Sequence, residues 1–196
     1  MSAARIPIHK ALEEAFPQTI ERWLKVPGGE YAKPDHLPTR EIAERVIRRA
    51  DAVLKVLKLD EPQVIPSSLW RNQWRPDKPF GLLRDRLKQF GWTVTFIESP
   101  RQLSSLSFLN AGGGDTIFLE QPAAEAFALS IREAGFPAPF EAQDAMPVLL
   151  AFELYDVAAP QLGHPPKEPW VDDLARNLVA QRLLGLPFNP LAVSII

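Results

Sequence analysis

Twenty prolines in 196 residues limit what this chain can build more than any other feature. A proline fixes φ and carries no N–H, so it interrupts helix interiors and central strands and suits first turns, edges and loops. The share is about twice the usual one. The prolines gather in stretches such as "VPGGEYAKPDHLP" and "GHPPKEP". They read as punctuation, and the chain is expected to fold as short elements separated at these points.

The elements between them have clear patterns. After a first helical segment, "HKALEEAFPQTIERWLK", the stretch "TREIAERVIRRADAVLKVLKL" repeats apolar residues at helical spacing: Ile42, Val46, Ile47, Ala50, Val53, Leu54 and Leu57. Thr39 is a candidate cap, and Glu44/Arg48 and Asp51/Lys55 are candidate i,i+4 ion pairs. Leu83, Leu87 and Phe90 mark a short helix ended by Gly91, and an alternating strand follows from Trp92 to Glu98. "LSSLSFLN" and "DTIFLEQ" have strand composition, and "AGGGD" between them predicts a β-hairpin turn. Three helices close the chain. They are "AAEAFALSIREAG", a helix capped by Asp144 and stopped at Pro160, and "EPWVDDLARNLVAQRLLG". The apolar tail "LPFNPLAVSII" must pack on this chain or bind a partner.

With 46% hydrophobic and 23% charged residues, the chain can bury a substantial core, and one domain over 1–196 is expected. No cysteine is present, which excludes disulfides and thiolate metal sites. No apolar run reaches the roughly 18 to 20 residues of a membrane span, and "MSAARIPIHKALEE" lacks the apolar centre of a signal peptide. A cytoplasmic protein without a membrane partner is the expectation. The net charge of −2 argues against a dedicated nucleic-acid binder, although charge is uneven along the chain. Six basic residues face two acidic ones from Arg71 to Lys88, whereas ten acidic face two basic from Glu120 to Asp173.

Within that acidic half, "VLLAFELYDVAAP" reads as a buried helix with two carboxylates. Its spacing matches the zinc-peptidase helix H-E-x-x-H with both histidines missing: Phe152 stands at the first position, Glu153 at the second and Asp156 at the last. Positions i and i+4 project from one helical face, so two imidazoles there can reach one ion while residue i+1 addresses its bound water. Phe152 has no lone pair to offer. An ordinary core helix with a polar edge has the same composition.

The order of elements, helices first, then a strand and hairpin, this helix, and a helix opening on Asp172 and Asp173, resembles the small zinc metallopeptidases of the ImmA and IrrE-like group. The likeness covers roughly residues 80 to 190 and includes the closing "LLGLP". It implies an α+β, zincin-like fold, with several helices packed on a small sheet containing the hairpin. Residues 1–65 then form an N-terminal helical part and 80–190 the core. In that group the first helix supplies two histidine ligands and a general-base glutamate, and a later helix supplies a carboxylate ligand. Here the corresponding positions are Phe152, Glu153, Asp156 and Asp172 or Asp173. The resemblance thus implies a degenerate member without zinc or other cofactor. Glu153 remains as an inactive general base, and Phe152, Asp156, Asp172 and Asp173 mark the former ligand positions.

Three readings follow, in order of preference. The first is a pseudoenzyme acting as a binding or regulatory domain for a protein or peptide partner. The second is an enzyme, either a hydrolase with an altered carboxylate-rich metal site or one using Glu153 as a lone general base. The third is a structural homo-oligomer with "LAVSII" buried in a partner subunit. Other features carry less. His9, His36 and His164 form no pair at ligand spacing. Trp70 and Trp74, among Arg71 and Arg75, are read as packing anchors, and "NAGGGD" lacks the residues of a phosphate loop.

Overall fold

The computed structural model describes residues 8–25, 33–34, 36–58, 77–97, 116–133, 140–186 and 188–191. Among them are six α-helices: α1 (Ile8–Lys25), α2 (Thr39–Leu57), α3 (Asp77–Gln89), α4 (Gln121–Glu133), α5 (Ala142–Ala158) and α6 (Trp170–Leu184). A 3-10 turn, Ala159–Leu162, extends α5. Two strands, β1 (Thr93–Ile97) and β2 (Thr116–Glu120), complete a largely helical α+β protein.

Helix α5 occupies the centre because it is apolar on almost every side. Ala145, Val148, Leu150, Ala151, Leu154, Tyr155 and Ala158 are all buried, and α3, α4, α6 and β2 pack around it. Helix α2 lays Ile42, Val46, Ala50, Val53 and Leu57 against the core, while Ile47 and Leu54 are half-buried at its margin. Its main partner is α6, so the N-terminal helical part joins the C-terminal elements directly. Glycines with positive φ end two of the helical segments, Gly91 (86°) after α3 and Gly185 (60°) after α6.

Several local expectations give way to other partners, one of them tertiary. The residue preceding α2 is Pro38, and Thr39 is the first helical residue without capping it. Glu44 pairs with Arg40 at 3.0 Å, and Arg48 turns to the Glu44 carbonyl. Asp51 is taken by Arg182 of α6, an interhelical partner that a local i,i+4 pattern cannot foresee. Glu141 caps α5, and Asp144 sits three residues inside, accepting the Glu141 N–H at 2.7 Å. Prolines are not confined to edges either. Pro17 lies within α1, and Pro147 lies in the second turn of α5, where one backbone bond is forgone and its ring is buried.

β1 and β2 pair in parallel, Thr93 opposite Thr116 and Ile97 opposite Glu120. The expected hairpin over 103–121 falls largely outside the described residues. So do "AGGGD" and the Trp70/Trp74 segment. The beginning of the apolar tail folds back onto its own chain. Leu186 and Leu191 are buried, and the Asn189 amide donates to Gln181 Oε1 at 2.9 Å. No helix among the described residues is long and apolar enough to cross a membrane.

Candidate functional site

Glu153 and Asp156 are the carboxylates of the second half of α5, Glu153 half-buried and Asp156 exposed. Glu153 and Asp156 are three apart, one helical turn, and Phe152 lies on the same side as Asp156. Facing them is the first half of α6, whose register puts Asp173 and Arg176 together. Helix packing thus brings Phe152, Glu153, Asp156, Asp173 and Arg176 into one neighbourhood.

Arg176 is the organising group. One terminal nitrogen lies 3.4 Å from Asp156 Oδ2 and the other 3.9 Å from Asp173 Oδ1. Its guanidinium carbon sits 5.4 Å from the centroid of the Phe152 ring, within cation–π range. The ion pairs are long and over a third of the Arg176 side chain is exposed (37%), so each contributes little on its own. The Nε of Arg176 is buried without a hydrogen-bond partner among the described residues. Phe152 is half-buried, set edge-to-face against Phe127 of α4 with ring centroids 6.3 Å apart. The ring also packs against the buried core.

The carboxyl groups feel this crowding. Burial pushes Glu153 up to about 7, the charge of Asp156 adds to the effect, and Arg176 opposes both. Asp156 keeps half of its side-chain surface in water, yet loss of solvation still raises its carboxyl above the ordinary range. Arg176 offsets part of that rise, while the charges of Asp172 and Asp173 add to it.

Asp172 is engaged elsewhere. Arg49 of α2 donates from Nε to Oδ1 at 2.8 Å and from Nη2 to Oδ2 at 3.4 Å, and the Tyr155 hydroxyl donates to Oδ1 as well. Arg49 also reaches the His164 carbonyl at 3.3 Å, which ties the loop before α6 into the same knot. Burial raises the Tyr155 hydroxyl far above its usual range, and its bond to Asp172 reinforces the rise. The imidazoles of His36 and His164 are exposed.

This donor set does not fit zinc. Phe152 supplies no lone pair, both oxygens of Asp172 are committed to Arg49, and a fixed positive charge stands between Asp156 and Asp173. Among the described residues no three histidine, cysteine, aspartate or glutamate side chains group so as to hold a metal ion.

The sequence pointed to five of these positions and missed Arg176, Arg49 and Tyr155. Arg176 had a usable signal, since a cation three residues after Asp173 shares its helical face. Arg49 had none, because its partner lies 123 residues away. Compared with family models, with curated proteins and with solved structures, the chain gives no match.

Proposed function

We propose that the chain is a zincin-like protein that has exchanged its zinc site for an internal cation and works as a binding or regulatory domain. The α5–α6 face is its binding surface. One observation carries this reading: the Arg176 guanidinium lies over Phe152 and between Asp156 and Asp173, at the positions where the resemblance to the small zinc metallopeptidases places an ion and its ligands. A guanidinium neutralises carboxylates without offering the Lewis acidity that peptide hydrolysis by a zinc enzyme requires. The partner that suits the surface is a protein or peptide with a basic segment. Glu153, Asp156 and Asp173 outnumber the single Arg176, and the surrounding sequence from Glu120 to Asp173 is strongly acidic.

Calorimetric titration of zinc tests the reading. The parent should bind no stoichiometric zinc. The variant Phe152→His/Asp156→His/Arg176→Ala should bind it about a hundredfold more tightly or better, a difference of about 2.7 kcal/mol or more. Equal weak binding by both would show that α5 and α6 do not hold the geometry of a former metal site. Stoichiometric zinc in the parent would remove the pseudoenzyme reading.

A second reading draws on Glu153 alone. A carboxyl raised to about 7 is poised for general-base work near neutral pH, so an enzyme using Glu153 without zinc is the alternative. Hydrolysis abolished by Glu153→Gln and indifferent to chelators would favour it.

A further inference from the structure

Four aromatic rings run in an unbroken row from the C-terminal residues to the candidate site. Phe188 packs edge-to-face on Phe140 with centroids 5.9 Å apart. Phe140 meets Phe127 at 6.5 Å, and Phe127 meets Phe152 at 6.3 Å. Beyond Phe152 the next group is the Arg176 guanidinium. The row crosses three parts of the fold, from the residues after α6, through the start of α5, to α4 and back to the middle of α5. Phe140 is fully buried and the other three rings are half-buried, so the row is anchored in the core at Phe140.

The same C-terminal residues also bond to the helix that carries Arg176. The Asn189 amide donates to Gln181 Oε1 at 2.9 Å, and Asn189 Oδ1 accepts the Leu191 N–H at 2.9 Å. Gln181 and Asn189 are both buried, and Gln181 belongs to α6, which carries Asp173 and Arg176. The segment therefore grips α6 through an amide pair and reaches α5 through the rings.

We propose that Phe188, Asn189 and Leu191 form a clasp whose seating sets the Phe152–Arg176 pair, so that release of Phe188 from Phe140 loosens the α5–α6 face. Edge-to-face contacts stabilise a ring pair beyond the area it buries. Close-packed interiors yield little, so displacement of Phe188 is passed on through the buried Phe140 to the ring beyond it. The guanidinium at the far end is the softest member of the row, held by long ion pairs and over a third exposed. Displacement of the row is therefore felt most at Arg176. A partner that captures the C-terminal residues then changes the binding face without touching it. The regulatory meaning rests on the α5–α6 face being the binding surface, whereas the coupling itself is read without any ligand.

The test is the side-chain Nε–H resonance of Arg176 in a proton–nitrogen correlation spectrum of the full chain, assigned by its loss in Arg176→Lys. Buried and beside a ring, this proton should be shielded and slow to exchange. Phe188→Ala should move the resonance and speed its exchange with water by about tenfold or more. Phe188→Leu keeps apolar volume without the ring and guards against a variant that fails to fold, and it should act in the same direction. Phe188→Tyr should restore the parent signal, and Leu191→Ala, which truncates a buried member of the clasp, should move it in the same direction as Phe188→Leu. An unchanged resonance in folded Phe188→Leu would overturn the coupling. Failure of a basic peptide to bind while the resonance still responds would overturn the binding surface and leave the coupling standing.

Discussion

Arg49 and Asp172, 123 residues apart in the chain, meet in a two-pronged ion pair, with Nε on Oδ1 at 2.8 Å and Nη2 on Oδ2 at 3.4 Å. The guanidinium is 12% exposed and the carboxylate 33%, so water screens the contact only in part. Such a pair acts as a weld between α2 and α6. Its orientation also removes Asp172 from the face that Asp156 and Asp173 share.

Removal of Arg49 leaves the Asp172 carboxylate with the Tyr155 hydroxyl and partial solvent. Arg49→Ala should therefore cost about 2 to 3 kcal/mol, somewhat below the range for fully buried pairs. Asp172→Ala should cost a similar amount. The double variant should cost clearly less than the sum, with a coupling of about 1 kcal/mol or more in denaturant titrations. Additive losses would show that the two groups do not act on each other.

The pH dependence of stability should report Glu153. Its folded carboxyl titrates at about 7 against an ordinary value of 4.5, so the folded chain holds the proton more tightly than the unfolded chain does. The associated stability is fully present below the unfolded value and is lost as pH rises from about 4.5 through about 7. Glu153→Gln removes this loss. The variant should match the parent near pH 4 and exceed it by about 3 kcal/mol at pH 8, the worth of about two and a half pKa units. A constant difference across the range would refute the assignment.

Phe152→Ala should destabilise by about 2 kcal/mol. Full burial of a phenylalanine gives losses of about 3 to 5 kcal/mol on truncation, and this ring is only half-buried. The contact with Arg176 adds about 0.5 to 1 kcal/mol, so Phe152→Leu should recover most of the packing but not that part. Guanidinium chloride denaturation of the three proteins provides the comparison.

In the zinc-binding triple variant, the choice of third ligand should follow the pairing seen here. Asp173→Asn should abolish the gained affinity, and Asp172→Asn should leave most of it, because Arg49 already holds Asp172. The opposite pattern in calorimetry would show that Asp172 leaves Arg49 when zinc binds.

What was legible in the sequence was whatever depends on neighbours within a turn or two. The apolar stripe of α2 from Ile42 to Leu57 appears where the periodicity predicts it, and the glycines at 91 and 185 follow helices as their left-handed conformations require. The proximity of Asp156 to the start of α6 follows from the family resemblance and not from any local pattern. The misread features share a different cause. Asp51 ignores Lys55 for Arg182, and Asp172 is drawn to Arg49. Such long-range pairings depend on how α2 packs on α6, which no local pattern encodes. Pro147 belongs with them. A buried environment that uses its ring outweighs the one backbone bond it gives up.

The parallel pairing of β1 and β2 bears on the order in which the molecule assembles. Antiparallel neighbours joined by a tight turn can zip together early and locally, but parallel neighbours must first be joined by a crossover. Between Ile97 and Thr116 the chain has to close such a crossover, and the entropy of closure is spent before the ladder returns anything. Helices α4, α5 and α6 adjoin one another in sequence, and α5 packs against both of the others. They offer the nearer contacts for a folding nucleus. The strand pair is therefore expected to form late, on a platform that β2 reaches through α4 and α5, and truncations that spare the C-terminal helices should retain more structure than those that spare the strands.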